Sequence, residues 1–112
     1  MVWTRLFLVP AMVLMAVWGW ATPARAAQWT VMVYMIGDNN LEESMVGKYG
    51  QFQQMARVGS DSNINIVVQL DRAKGFVTDP VDDWTTCKRF RITQGMAPTP
   101  ANALADLGEV NM

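Results

Sequence analysis

Histidine is missing from this sequence, and cysteine occurs once, at Cys87. Without histidine the chain holds no Ser-His-Asp triad, no Cys-His dyad and no histidine-ligated zinc centre. One thiol forms neither an internal disulfide nor a multi-cysteine metal site. An excess of positive charge is also lacking. Nine Lys and Arg stand against ten Asp and Glu, a net charge of −1, which is too balanced for a protein that grips polyanions through a basic surface. No dinucleotide fingerprint is present, because Gly37-Asp38-Asn39 does not satisfy G-x-G-x-x-G. An EF-hand loop fails because the sixth position counted from Asp38 is Glu43 rather than Gly. The 112 residues allow one small domain. A self-sufficient hydrolase of the usual kinds is excluded.

What is present begins with an export signal. Arg5 and the terminal amine make a positive start, and Leu6 to Ala21 is an uncharged apolar run. Thr22-Pro23-Ala24-Arg25-Ala26 then sets small residues at the A-x-A spacing a signal peptidase accepts. Residues 1–26 are therefore expected to be a secretory signal peptide, cleaved between Ala26 and Ala27, and the protein to be exported: secreted, periplasmic or at the cell surface. A permanent anchor is the alternative. The apolar run falls short of the roughly 20 residues that span a bilayer, and Pro10 and Gly19 interrupt it.

Residues 27–112 form the expected domain. Loss of Arg5 and Arg25 leaves seven basic residues against ten acidic ones, so nothing favours nucleic acid, and membrane contact is confined to the signal. Cys87 is a buried thiol, a reactive one or half of an intermolecular bridge. Lys88 and Arg89 beside it would lower a thiol pKa, but no base accompanies it, which favours a structural role.

Three segments organise the domain. Trp29 to Ile36 is almost wholly apolar, rich in β-branched and aromatic residues, and ends at Gly37; it reads as a strand buried on both faces. From Leu41 to Val58, residues Leu41, Met45, Tyr49, Phe52, Met55 and Ala56 recur at helical spacing. Asn40 is the expected N-cap with Glu43 as its capping-box partner. Gly47 and Gly50 oppose the helix at about 1 kcal/mol each, and packing of the stripe is expected to override them. Gly59-Ser60 ends it. Ile64 to Leu70 is a second buried strand. Strand, helix and strand make a βαβ unit with a parallel pair, so the fold class is α/β.

The pattern then loosens. Lys74-Gly75 and Thr78-Asp79-Pro80 are turn material. Trp84 to Thr93 alternates near its end, with Phe90 and Ile92 facing one way and Arg89 and Arg91 the other, as in a half-exposed strand of an antiparallel hairpin or at a sheet edge. Thr99 to Leu107 could start a short helix.

Chemistry is sparse. Asp38-Asn39-Asn40 follows the first strand, at the edge where open α/β sheets gather ligands. These residues either position a substrate or supply oxygens to a cation, or they simply cap the helix and answer its dipole. Asp79, Asp82 and Asp83 make an acidic turn that is more plausibly solvated than cation-binding. No residue qualifies as catalytic, cofactor-binding or metal-binding.

Trp29-Thr30-Val31-Met32-Val33-Tyr34-Met35 followed by Gly37-Asp38-Asn39-Asn40-Leu41-Glu42 resembles the start of the clostripain-family cysteine peptidases. So do Val58-Gly59-Ser60, Asn65-Ile66-Val67-Val68-Gln69-Leu70-Asp71-Arg72, Trp84 with Arg89-Phe90-Arg91-Ile92, and Leu107-Gly108-Glu109-Val110-Asn111-Met112, in that order. The resemblance implies the N-terminal part of a caspase-like three-layer α/β sandwich with a mainly parallel sheet. It implies an exported endopeptidase that cleaves after basic residues, chiefly Arg, with protein or peptide substrates. It also brings calcium as a candidate cofactor. The family's His-Gly and Cys lie beyond the Leu-Gly-Glu-x-Asn-Met phrase and have no counterpart here, and Cys87 falls in the wrong segment to be the nucleophile. The expectation is an N-terminal fragment, inactive and unstable alone, left by truncation or a split gene. The alternatives are a small exported non-catalytic α/β binding module and one chain of a two-chain assembly.

Overall fold

A computed structural model describes residues 26–77 and 82–110. The signal-peptide reading thus lies outside the described residues except at Ala26 and Ala27, which lead directly into the first strand.

The element order is β1 (Trp29–Gly37), α1 (Glu42–Val46), α2 (Gln51–Val58), β2 (Ile64–Arg72), β3 (Lys88–Arg91), a 3-10 turn (Pro100–Asn102) and β4 (Ala105–Asp106). The strands form one sheet in the order β1-β2-β3-β4. β1 and β2 are parallel, in register from Trp29 opposite Ile64 to Gly37 opposite Arg72. β3 pairs antiparallel with β2, and β4 antiparallel with β3. The class is mixed α/β, with one parallel pairing and two antiparallel ones.

One face of the sheet carries the core. Met35, Val68, Leu70, Phe90 and Ile92 meet Val46 from α1 and Phe52 and Ala56 from α2, and Val77 and Trp84 close the cluster. Phe52 and Phe90 meet edge to face, with ring centroids 5.2 Å apart, an arrangement that adds about 0.5–1.5 kcal/mol to the area they bury. The alternation in β3 emerges as the sequence predicts: Phe90 is buried and Arg89 is exposed.

The expectation that β1 is buried on both faces is corrected. β1 is an edge strand, and its alternate side chains Met32, Tyr34 and Ile36 are 82%, 52% and 47% exposed. Successive strand residues point to opposite faces, and both helices pack on the core side. An apolar run registers capacity for burial, not the presence of a second layer.

The single helix over Leu41 to Val58 is also corrected. It breaks into α1 and α2 around Gly47-Lys48-Tyr49-Gly50. Gly50 lies so close to α1 that a Cβ there would sit 2.7 Å from the Met45 carbonyl. Packing did not override the glycines, because Leu41 and Tyr49 of the supposed stripe are exposed. Gly59 does end α2, and it has to be glycine. Its φ is +76°, and a Cβ would fall 2.5 Å from the Gln94 nitrogen. Ser60 then ties the exit to the sheet: its N–H donates to the Ile92 carbonyl at 2.8 Å, and its Oγ accepts from the Ile66 N–H at 2.9 Å. At the other end, the short helix expected from Thr99 is one turn of 3-10 helix, Pro100–Asn102, and the chain then enters the short β4.

Candidate functional site

The parallel pair places the ends of β1 and β2 side by side, so Gly37-Asp38 and Asp71-Arg72 share one edge. This is the edge at which parallel α/β sheets collect ligands.

Asp38 and Asn40 are exposed there, and Asn39 is half-buried. Asn39, rather than Asn40, organises the loop: its Oδ1 accepts the Leu41 N–H at 2.8 Å and its Nδ2 donates to the Ile36 carbonyl at 3.2 Å. The capping box is therefore corrected. Leu41 occupies the N-cap with helical backbone angles and no side-chain cap. An Asx turn one residue earlier captured the chain first.

The buried chemistry around this edge was not singled out from sequence. Glu42 of α1 and Arg72 of β2 are both fully buried and form an ion pair through Arg72 Nε and Glu42 Oε1. The guanidinium also donates to the Asp82 carbonyl at 2.8 Å and to the Val77 carbonyl. Its centre lies 4.7 Å from the Trp84 ring, and the indole N–H donates to the Pro98 carbonyl at 2.9 Å. One arginine thus holds the strap after β2 against α1 and the aromatic core. Burial pushes the Glu42 carboxyl above its usual range even though Arg72 pulls it down, and Oε2 has no hydrogen-bond partner.

Asp71 is the second buried acid, 2% exposed, with Oδ1 unpartnered. Burial raises its carboxyl first, and the charges of Glu109 and Asp38 raise it further. Cys87 is fully buried and free. Its thiol is pushed up, mainly by burial and then by the negative charge of Asp71. Arg89 pulls it down, but burial and Asp71 outweigh that pull, so the neighbouring cations do not activate the thiol. Lys88 pairs with Asp106 and lies over the Trp84 ring, while Arg89 donates to Gln69 Oε1 at 2.8 Å. Arg91 similarly donates to Asn65 Oδ1 at 2.8 Å. A thiol kept protonated in the core is structural.

Of the acidic turn, Asp79 lies outside the described residues. Asp82 and Asp83 are exposed, and Asp83 accepts the Gly75 N–H at 2.9 Å. Among the described residues no three Asp, Glu or Cys side chains gather to hold a metal ion. The one sequence signal that points to this edge is the pair Asp71-Arg72 directly after an apolar strand, since charges placed there meet whatever the sheet end faces.

The chain matches no protein-family model, no curated protein and no solved structure.

Proposed function

We propose that residues 27–112 are the N-terminal part of an exported clostripain-like cysteine endopeptidase, one that cleaves after basic residues and is inactive without a His and Cys supplied by further sequence. The motif order from Trp29 to Met112 carries the family reading. The observation that supports it best is the unfinished side of the sheet. Opposite the helices, Met32, Val33, Tyr34, Val67, Gln69 and Arg89 line an open cleft of about 370 Å³. Beside it β1 offers a nine-residue edge without Pro, Lys or any other charge to blunt it. A second helical layer on that face and another strand beside β1 would turn this two-layer unit into a three-layer sandwich. Protein or peptide substrates belong to the completed domain.

The test has two arms. The free chain on an arginyl substrate should show no thiol-dependent cleavage, and clear activity would overturn the proposal. The coding sequence after Met112 should specify His-Gly and then Asp-x-Cys, and the longer product should cleave the substrate until that Cys is replaced. A longer product with no such dyad would favour a non-catalytic module that binds partners through the β1 edge.

A further inference from the structure

The sheet face away from the helices has a chemistry of its own. Cross-strand register sets two rungs on it. Met32 of β1 lies opposite Val67 of β2, which lies opposite Arg91 of β3; Tyr34 lies opposite Gln69, which lies opposite Arg89. Met32 and Tyr34 are exposed and Val67 is half-buried, so the β1 side of both rungs is an apolar surface of the kind that meets a partner. The β3 side is cationic, and two amide side chains of β2 hold the charges in place. Gln69 Oε1 accepts from Arg89 and Asn65 Oδ1 from Arg91, each at 2.8 Å. Those acceptors are neutral and leave both charges uncompensated: the ion pairs among the described residues are Glu42 with Arg72 and Lys88 with Asp106. Asp71, one rung beyond Gln69 on this face, is buried and forms an ion pair with neither arginine.

The spacing of these groups fits a helix. Neighbouring strands lie about 4.8 Å apart, so β3 runs about 10 Å from β1, close to the 10–12 Å diameter of a helix with its side chains. A helix lying along the strands covers Met32, Tyr34 and Val67 with its apolar stripe and brings one flank over β3. Residues two apart on a strand are separated by about 6.7 Å, and residues four apart on a helix by a rise of about 6 Å. Carboxylates at i and i+4 on that flank therefore reach Arg89 and Arg91 together, and each guanidinium keeps free N–H groups for a two-point grip. We propose that this face is covered by an amphipathic helix from further sequence of the same polypeptide, carrying Asp or Glu at two positions four residues apart beside its apolar stripe. The source of the helix rests on the peptidase reading above; the acid pair is dictated by the sheet.

The probe is a synthetic helix of about 18 residues, above the length at which isolated helices are marginal. It carries a Leu stripe and Glu at the two flank positions, and its counterparts carry Gln or Lys there. Binding to the full chain is read by fluorescence anisotropy of the labelled peptide, and an unreactive Cys87 marks the chain as folded. The Glu helix should bind about tenfold more tightly than the Gln helix, the combined effect of two solvated ion pairs, and the Lys helix more weakly still. Added salt should narrow the difference. Arg89→Gln with Arg91→Gln should equalise the Glu and Gln helices, and Arg89→Glu with Arg91→Glu should reverse the order in favour of Lys. Equal binding of all three helices, no binding of the Glu helix, or an order unchanged in the charge-reversed chain would overturn the acid pair. A coding sequence after Met112 that specifies His-Gly and Asp-x-Cys but no helix with such a pair would overturn the inference and leave the peptidase reading standing. A missing dyad together with a bound Glu helix would overturn the peptidase reading and leave the acid pair standing.

Discussion

Removing the guanidinium of Arg72 should release the strap that follows β2. In Arg72→Met the Glu42 carboxylate stays fully buried without its partner, and the Val77 and Asp82 carbonyls lose their donor. Breaking a buried pair from one side costs about 3–5 kcal/mol, and the contact with Trp84 is lost as well. An opening free energy smaller by that amount multiplies the open population by about 10²–10⁴. Hydrogen exchange of the amides at Gly75–Val77 and Asp82–Trp84 reports this directly, as does the rate at which an endoproteinase cuts after exposed Lys74. Replacing both partners, Glu42→Leu with Arg72→Met, should recover much of the loss, because an apolar pair of similar volume removes the stranded charge. An Arg72→Met variant that changes exchange by less than about fivefold would mean the pair is worth no more than a surface ion pair. The reasoning would then fail.

Two further outcomes follow from the buried edge. Asp71 has its carboxyl raised above the ordinary 3.8. Its folding contribution is therefore fully present below that value and is lost as pH rises through the raised one. Asp71→Asn should slow exchange of the Leu70–Arg72 amides at about pH 7.5 and leave it unchanged at about pH 3.5; a faster-exchanging variant at neutral pH would contradict this. Cys87 should react with a thiol reagent only as fast as the core opens, so that denaturant accelerates labelling steeply. Rapid labelling in native buffer would show an accessible thiolate.

Strand positions were legible because β-branched and aromatic runs bounded by Gly37 and Asp71 leave few alternatives. The half-exposed character of β3 could be read from Arg89-Phe90-Arg91-Ile92 alone. The one-sided burial of β1 was not legible, because Met32 and Tyr34 fit a covered face and an open one equally well. In α1 and α2 the periodic stripe concealed a break, since the stripe residues at the junction, Leu41 and Tyr49, are exposed and contribute no packing to offset Gly47 and Gly50. Glu42 of α1 and Arg72 of β2 were hidden as well. A buried ion pair 30 residues apart leaves no trace in hydrophobic periodicity. The loop Asp38-Asn39-Asn40 follows β1, and its organising side chain is one residue earlier than the expected Asn40, because an Asx turn and an N-cap use the same kind of side chain.

The central claim is that the open face and the β1 edge are surfaces to be completed by further sequence. Sedimentation together with thermal unfolding of residues 27–112 tests it most directly. The account predicts self-association and a broad, non-cooperative transition, because a long uncharged edge and exposed Met32 and Tyr34 seek partners. A soluble monomer that unfolds cooperatively would contradict it.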